Sequence, residues 1–190
     1  MRVAGLSVLL LLTACKDGCS DGIGSTESEN NNPNNIAVPT RDPDETFAGD
    51  LSTGTEIDLD WADENPFFCW PGTENVNFTG AHVFFTRSKE GSGDYVIKAT
   101  PDAGVDISLY TLEFNDEVQT PPDVTSTTRC EASYDADGDS NPGGWESVEL
   151  FGFADNAVLI GVAGANGQDS GAFTVEVWQD SAEGFDETGE

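Results

Sequence analysis

The chain has 190 residues, enough for one ordinary domain with tails and too few for two full ones. It carries 36 Asp and Glu against 7 Lys and Arg, a formal net charge of -29, which excludes a nucleic-acid or anionic-membrane binder acting through a basic patch. With 37% hydrophobic residues and 21 glycines, the composition is nevertheless that of a globular domain.

The first fourteen residues read as a processing segment. Arg2 supplies the positive start, and residues 3–12 form an apolar run that is about half of the roughly 20 residues needed to span a bilayer. The run ends in Leu12-Thr13-Ala14-Cys15. These four residues resemble the lipobox of bacterial lipoproteins, in which cleavage precedes the cysteine and lipid is attached to it. The resemblance implies lipidation of Cys15 and a membrane anchor made of more than one acyl chain, which holds a protein stably. Lys16 stands where an inner-membrane lipoprotein would carry Asp, so the resemblance implies the outer membrane.

Residues 15–46 then form a lipidated start and a polar tether. The stretch Ser25-Thr26-Glu27-Ser28-Glu29-Asn30-Asn31-Asn32-Pro33-Asn34-Asn35 cannot bury enough surface to fold, and about 30 flexible residues span roughly 30 Å. Cys19 falls in this tether. The remaining cysteines, Cys69 and Cys130, lie beside predicted strands, and an oxidising compartment lets them pair. Such a bridge closes the 69–130 loop and contributes roughly 4 kcal/mol on a chain-entropy argument.

Between residues 47 and 178 the hydrophobic pattern has period two almost throughout. Strands are predicted at 56–61, 81–86, 95–99, 105–112, 128–134, 145–151, 157–163 and 172–178, separated by Gly, Pro, Asn and Asp clusters. Eight short strands without helical spacing predict an all-β protein, an antiparallel jelly-roll-like β-sandwich. Residues 179–190 read as a short acidic tail.

The succession Asp94-Tyr95-Val96-Ile97, Val105-Asp106-Ile107-Ser108-Leu109-Tyr110 and Glu146-Ser147-Val148-Glu149-Leu150 resembles the bacterial pre-peptidase C-terminal domain. So do the closing stretches Val158-Leu159-Ile160-Gly161-Val162 and Ser170-Gly171-Ala172-Phe173-Thr174-Val175-Glu176-Val177. The likeness covers residues 81–178. It implies a jelly-roll-like sandwich and a noncatalytic accessory module, some members of which bind calcium or matrix polymers. The chain departs from that family in having no peptidase before the domain, and residues 115–127, with Pro121-Pro122, look like an insertion.

The strongest local signal is Asp135-Ala136-Asp137-Gly138-Asp139-Ser140-Asn141, followed by Glu146. Asp135, Asp137, Asp139, Asn141 and Glu146 fall at positions 1, 3, 5, 7 and 12 of an EF-hand-like calcium loop, where alternate oxygens turn toward a hard cation. Ser140 replaces the glycine of position 6, and Pro142 interrupts the second half. A solvated acidic turn is the other reading, because two carboxylates about 4 Å apart repel by only about 1 kcal/mol in bulk water. Glu56, Asp58 and Asp60 make a second acidic row, read as a solvent face or as the lining of a cation or sugar site.

His82 is the single histidine and sits on a predicted strand, where it reads as structural. Gly138-Asp139-Ser140 is similar to the Gly-Asp-Ser block of a lipase and esterase family, but Thr79 stands where that family places Asp before its histidine. A Ser-His-Asp triad would have to use His82, and no Gly-x-Ser-x-Gly elbow supplies the serine. Phe67, Phe68, Trp70, Trp61 and Trp145 read as core or as a sugar-stacking platform. Together these features predict a lipid-anchored envelope protein presenting a noncatalytic, calcium-stabilised binding module for a polysaccharide or an envelope protein. Two alternatives stand beside it: a small carboxylate-dependent hydrolase, and an acidic surface coat with no specific ligand.

Overall fold

The structure, a computed structural model, describes residues 41–59, 62, 69, 76–89, 93–133, 144–152 and 155–181. Nine strands lie among them: β1 (Glu45–Asp50), β2 (Thr55–Glu56), β3 (Ala81–Lys89), β4 (Gly93–Pro101), β5 (Ile107–Phe114), β6 (Arg129–Ser133), β7 (Glu146–Gly152), β8 (Asn156–Gly164) and β9 (Ala172–Ser181). They form two sheets, one of four strands in the order β1-β9-β4-β7 and one of five in the order β2-β3-β8-β5-β6. Every pairing within them is antiparallel. The predicted all-β sandwich is therefore the fold.

Alternation of side chains builds the layer between the sheets. Tyr95, Ile97 and Ala99 from β4, Val148 and Leu150 from β7, and Phe173, Val175 and Val177 from β9 face inward from the first sheet. Ile107 and Leu109 from β5 and Val158, Ile160 and Val162 from β8 answer them from the second. Removing these side chains from water is the main force joining the sheets, at about 1.5–3 kcal/mol for a fully buried Val, Leu, Ile or Phe.

A second core lies on the outer face of the five-stranded sheet. There the other parity of the same strands, Tyr110, Leu112 and Phe114 of β5 with Leu159 and Ala163 of β8, meets Leu59, Phe78 and Val124 from the connections. All eight residues of β5 are consequently buried. Tyr110 stands opposite Gly161 on β8, and a Cβ at that glycine would fall 2.2 Å from the Tyr110 ring. The missing side chain gives the ring its place on the sheet.

The elements depart most from the sequence expectation in three places. β1 begins at Glu45, inside the stretch assigned to the tether, because Phe47 alone of its side chains is large enough to signal a strand. Among the described residues, the predicted strand at 56–61 meets β3 through Glu56 alone, with Thr55 before it. Past that point Leu59 turns into the second core and its carbonyl accepts from Ala62 N at 2.9 Å. β9 runs on through Ser181, so Gln179 and Asp180 belong to a strand paired with β4 and not to the tail.

Candidate binding site

The expected bridge is present: Cys69 and Cys130 form a disulfide, and Cys69 N donates to Cys130 Sγ at 3.1 Å. Cys130 packs against the second core, so the bond holds Cys69 at the outer face of β6.

The connection from β5 to β6, read from sequence as an insertion, lines an open pocket of about 480 Å³. Its floor is Phe114 and Thr127, both buried, and its walls carry Asn115, Asp116, Glu117, Gln119 and Ser126. The segment is held by its own polar groups. Gln119 Oε1 accepts from Thr125 N at 2.7 Å and from Thr125 Oγ1 at 3.1 Å. Thr128 N donates to the Glu113 carbonyl at 2.8 Å, and the hydroxyl of Thr127 lies 2.6 Å from the same oxygen. Val124 and Val118 reach under the segment into the second core. The Pro121–Pro122 peptide bond is cis. Two carboxylates, amides and hydroxyls beside an aromatic ring form a lining chemically able to exchange hydrogen bonds with a hydroxyl-rich ligand.

Of the five candidate calcium ligands, Asp135, Asp137, Asp139 and Asn141 lie outside the described residues. Glu146 opens β7, is buried, and accepts a hydrogen bond from Ser133 Oγ at the end of β6. The two ends of the acidic connection are thus joined by a side-chain contact. Among the described residues no three His, Cys, Asp or Glu side chains gather as a metal site would need. Cys15, Asp60, Trp61, Phe67, Phe68 and Trp70 also lie outside the described residues. Glu56 and Asp58 are exposed, as a solvent face requires. Trp145 is half-buried on the outer face of the four-stranded sheet, with Lys98 Nζ 5.0 Å from its ring centroid.

His82 is turned into the second core. Its Nε2 lies 2.9 Å from the Phe78 carbonyl and its Nδ1 2.9 Å from Tyr110 Oη. A carbonyl only accepts, so Nε2 carries the proton and the Tyr110 hydroxyl donates to Nδ1. Burial holds the imidazole below its ordinary value of 6.5, with the Phe78 hydrogen bond acting weakly the other way. The unfolded chain therefore takes up this proton first as pH falls. Stability contributed by His82 is full above about pH 6.5 and declines as pH drops toward its folded value. Tyr110→Phe is expected to cost about 1–3 kcal/mol by leaving Nδ1 buried without a donor. Urea unfolding at pH 8 measures that loss. Repeating it at pH 5.5 should show the wild type weakened, and a flat wild-type profile would contradict the neutral, buried imidazole.

Comparison with models of known protein families and with characterised proteins finds no match.

Proposed function

We propose that this chain is an exported lipoprotein, anchored through Cys15 at the outer membrane, whose β-sandwich binds a hydroxyl-rich polymer of the cell envelope without chemically altering it. The observation that carries this reading is the open polar pocket lined by the 115–128 segment, with Asp116, Glu117 and Asn115 beside Phe114. Carboxylates accept from sugar hydroxyls and amides donate to them, which suits a polysaccharide. A net charge of -29 favours neutral or cationic polymers over polyanions. The disulfide supports an oxidising compartment outside the cytoplasm.

The position of the pocket adds to this. β5 ends and β6 begins at the end of the sandwich where Glu45 starts β1, as the Arg87–Glu45 ion pair at 3.5 Å and the Glu113–Arg129 pairing indicate. A tether leaving from Glu45 would therefore present the pocket toward the surface that bears the anchor, within about 30 Å of it. The ligand in this proposal is a polymer of that same envelope. Calcium held by Asp135, Asp137, Asp139, Asn141 and Glu146 would rigidify the connection at the opposite end.

Affinity electrophoresis of the full chain against envelope polysaccharides, with calcium and with a chelator, tests the proposal. Retention is expected, and Asp116→Asn with Glu117→Gln should weaken it about tenfold or more. Retention unchanged by those substitutions would remove the pocket from the mechanism. Shortening of the polymer during the assay would favour the hydrolase reading instead.

A further inference from the structure

At the tether end of the sandwich, three side chains from neighbouring strands meet between the sheets: Lys89 of β3, Asn156 of β8 and Glu113 of β5. Lys89 and Asn156 are directly opposed across the β3–β8 ladder, a relation that brings Cβ atoms to about 4.5–5.5 Å. Lys89 has no exposed surface at all, and Glu113 is 4% exposed. Lys89 Nζ lies 3.6 Å from Glu113 Oε1 without making a hydrogen bond, while Asn156 Nδ2 donates to Glu113 Oε2 at 2.9 Å. One carboxylate thus faces the amine with one oxygen and the carboxamide nitrogen with the other.

Lys89 and Glu113 are shut off from water, and Asn156 is half-buried beside them. The buried Tyr95 ring lies 5.9 Å from Nζ, and at Gly152 of β7 a Cβ would fall 1.4 Å from that nitrogen. A side chain at that position would have to displace the amine. A lysine closed off in this way is the residue type that acts as a nucleophile when desolvated.

We infer that Lys89 and Asn156 join through an intramolecular amide bond, with Glu113 as the proton carrier. In the buried site the Lys89 ammonium passes a proton to Glu113 Oε1, which removes both charges. The free amine attacks Asn156 Cγ and forms the Nζ–Cγ bond. Glu113 then delivers its proton to Asn156 Nδ2, the Cγ–Nδ2 bond breaks, and ammonia departs. The second proton shed by Nζ leaves with it as ammonium. An alkylammonium and a carboxamide become a secondary amide and ammonium, Glu113 ends as it began, and no oxidant or co-reactant is consumed. Fixing the partners in one folded geometry supplies the effective concentration that makes so slow an aminolysis feasible, and the shuttling carboxylate supplies general acid–base catalysis. The reaction belongs to the folded state alone, because only the β3-β8-β5 order brings the three residues together.

Peptide mass mapping of the purified full chain, after reduction of the disulfide and tryptic digestion, tests this. The expected product is a joined peptide containing Lys89 and Asn156, lighter than its two parts by one ammonia, with no cleavage after Lys89. Glu113→Gln should slow its formation about 100-fold or more, and Asn156→Ala should abolish it. Because the wild-type digest is itself decisive, a variant that fails to fold does not weaken the test. Separate peptides of full mass with cleavage after Lys89 would overturn the inference. So would a product lighter by one water that joins Lys89 to Glu113, or a joined peptide persisting in Asn156→Ala.

Discussion

Replacing Phe78 by alanine is expected to lower stability by about 3–5 kcal/mol, the range for deleting a buried aromatic ring. Phe78 lies in the short 3₁₀ turn Val76–Phe78, outside both sheets, yet it has no exposed surface. Its ring meets Tyr110 edge-on at 5.9 Å between centroids, and Tyr110 in turn donates to His82. The loss is expected within a single unfolding transition. The two cores are the opposite faces of β5 and β8, so Leu109 and Tyr110 cannot be released separately. Urea unfolding followed by both tryptophan fluorescence and far-ultraviolet circular dichroism decides this. Coincident curves shifted together support one cooperative unit. Two transitions, or a loss below about 1 kcal/mol, would mean that the covering layer is only loosely attached.

Reducing the Cys69–Cys130 disulfide is expected to cost about 4 kcal/mol, since it closes a long loop across 61 positions of sequence. For a domain of this size the melting temperature should fall by roughly 10–20 °C. The position of the bond sharpens the expectation. It fastens Cys69 to β6, an edge strand whose Cys130 and Ala132 pack against the second core. Thermal unfolding with and without reductant, alongside Cys130→Ser, measures the effect. A shift of only a degree or two would place the stability of the outer layer in its apolar contacts alone.

Much of this architecture was legible because period two is a strong signal when one face is buried. The inner residues of β4, β7 and β9 alternate cleanly, and their strands were placed within a few residues. β1 escaped notice because Phe47 is its one large apolar residue. The second core did leave a trace in the sequence: residues 107–114 are apolar at both parities, as are Val158-Leu159-Ile160, which marks strands buried on both faces. The candidate pocket left none, since Asn115, Asp116, Glu117 and Ser126 are ordinary connecting residues until the backbone curls them around Phe114. Lys89 was equally silent. It falls past the strand predicted at 81–86, and only the pairing of three strands distant in sequence sets it beside Glu113 and Asn156.

β1 and β9 are hydrogen-bonded neighbours, with Glu45 opposite Val177, and Arg41 reaches Asp180 at 3.0 Å. The chain therefore enters the fold and leaves it at adjacent points on one end of the sandwich. Topologically the domain is a ring lacking one short link. A unit of this kind can be spliced into a surface loop of another protein with little distortion of the host, or reopened at another exposed turn with its original ends fused. The turn at Asp102–Val105, where Gly104 adopts a positive φ of 84° in open space, is a natural place to cut such a permuted chain.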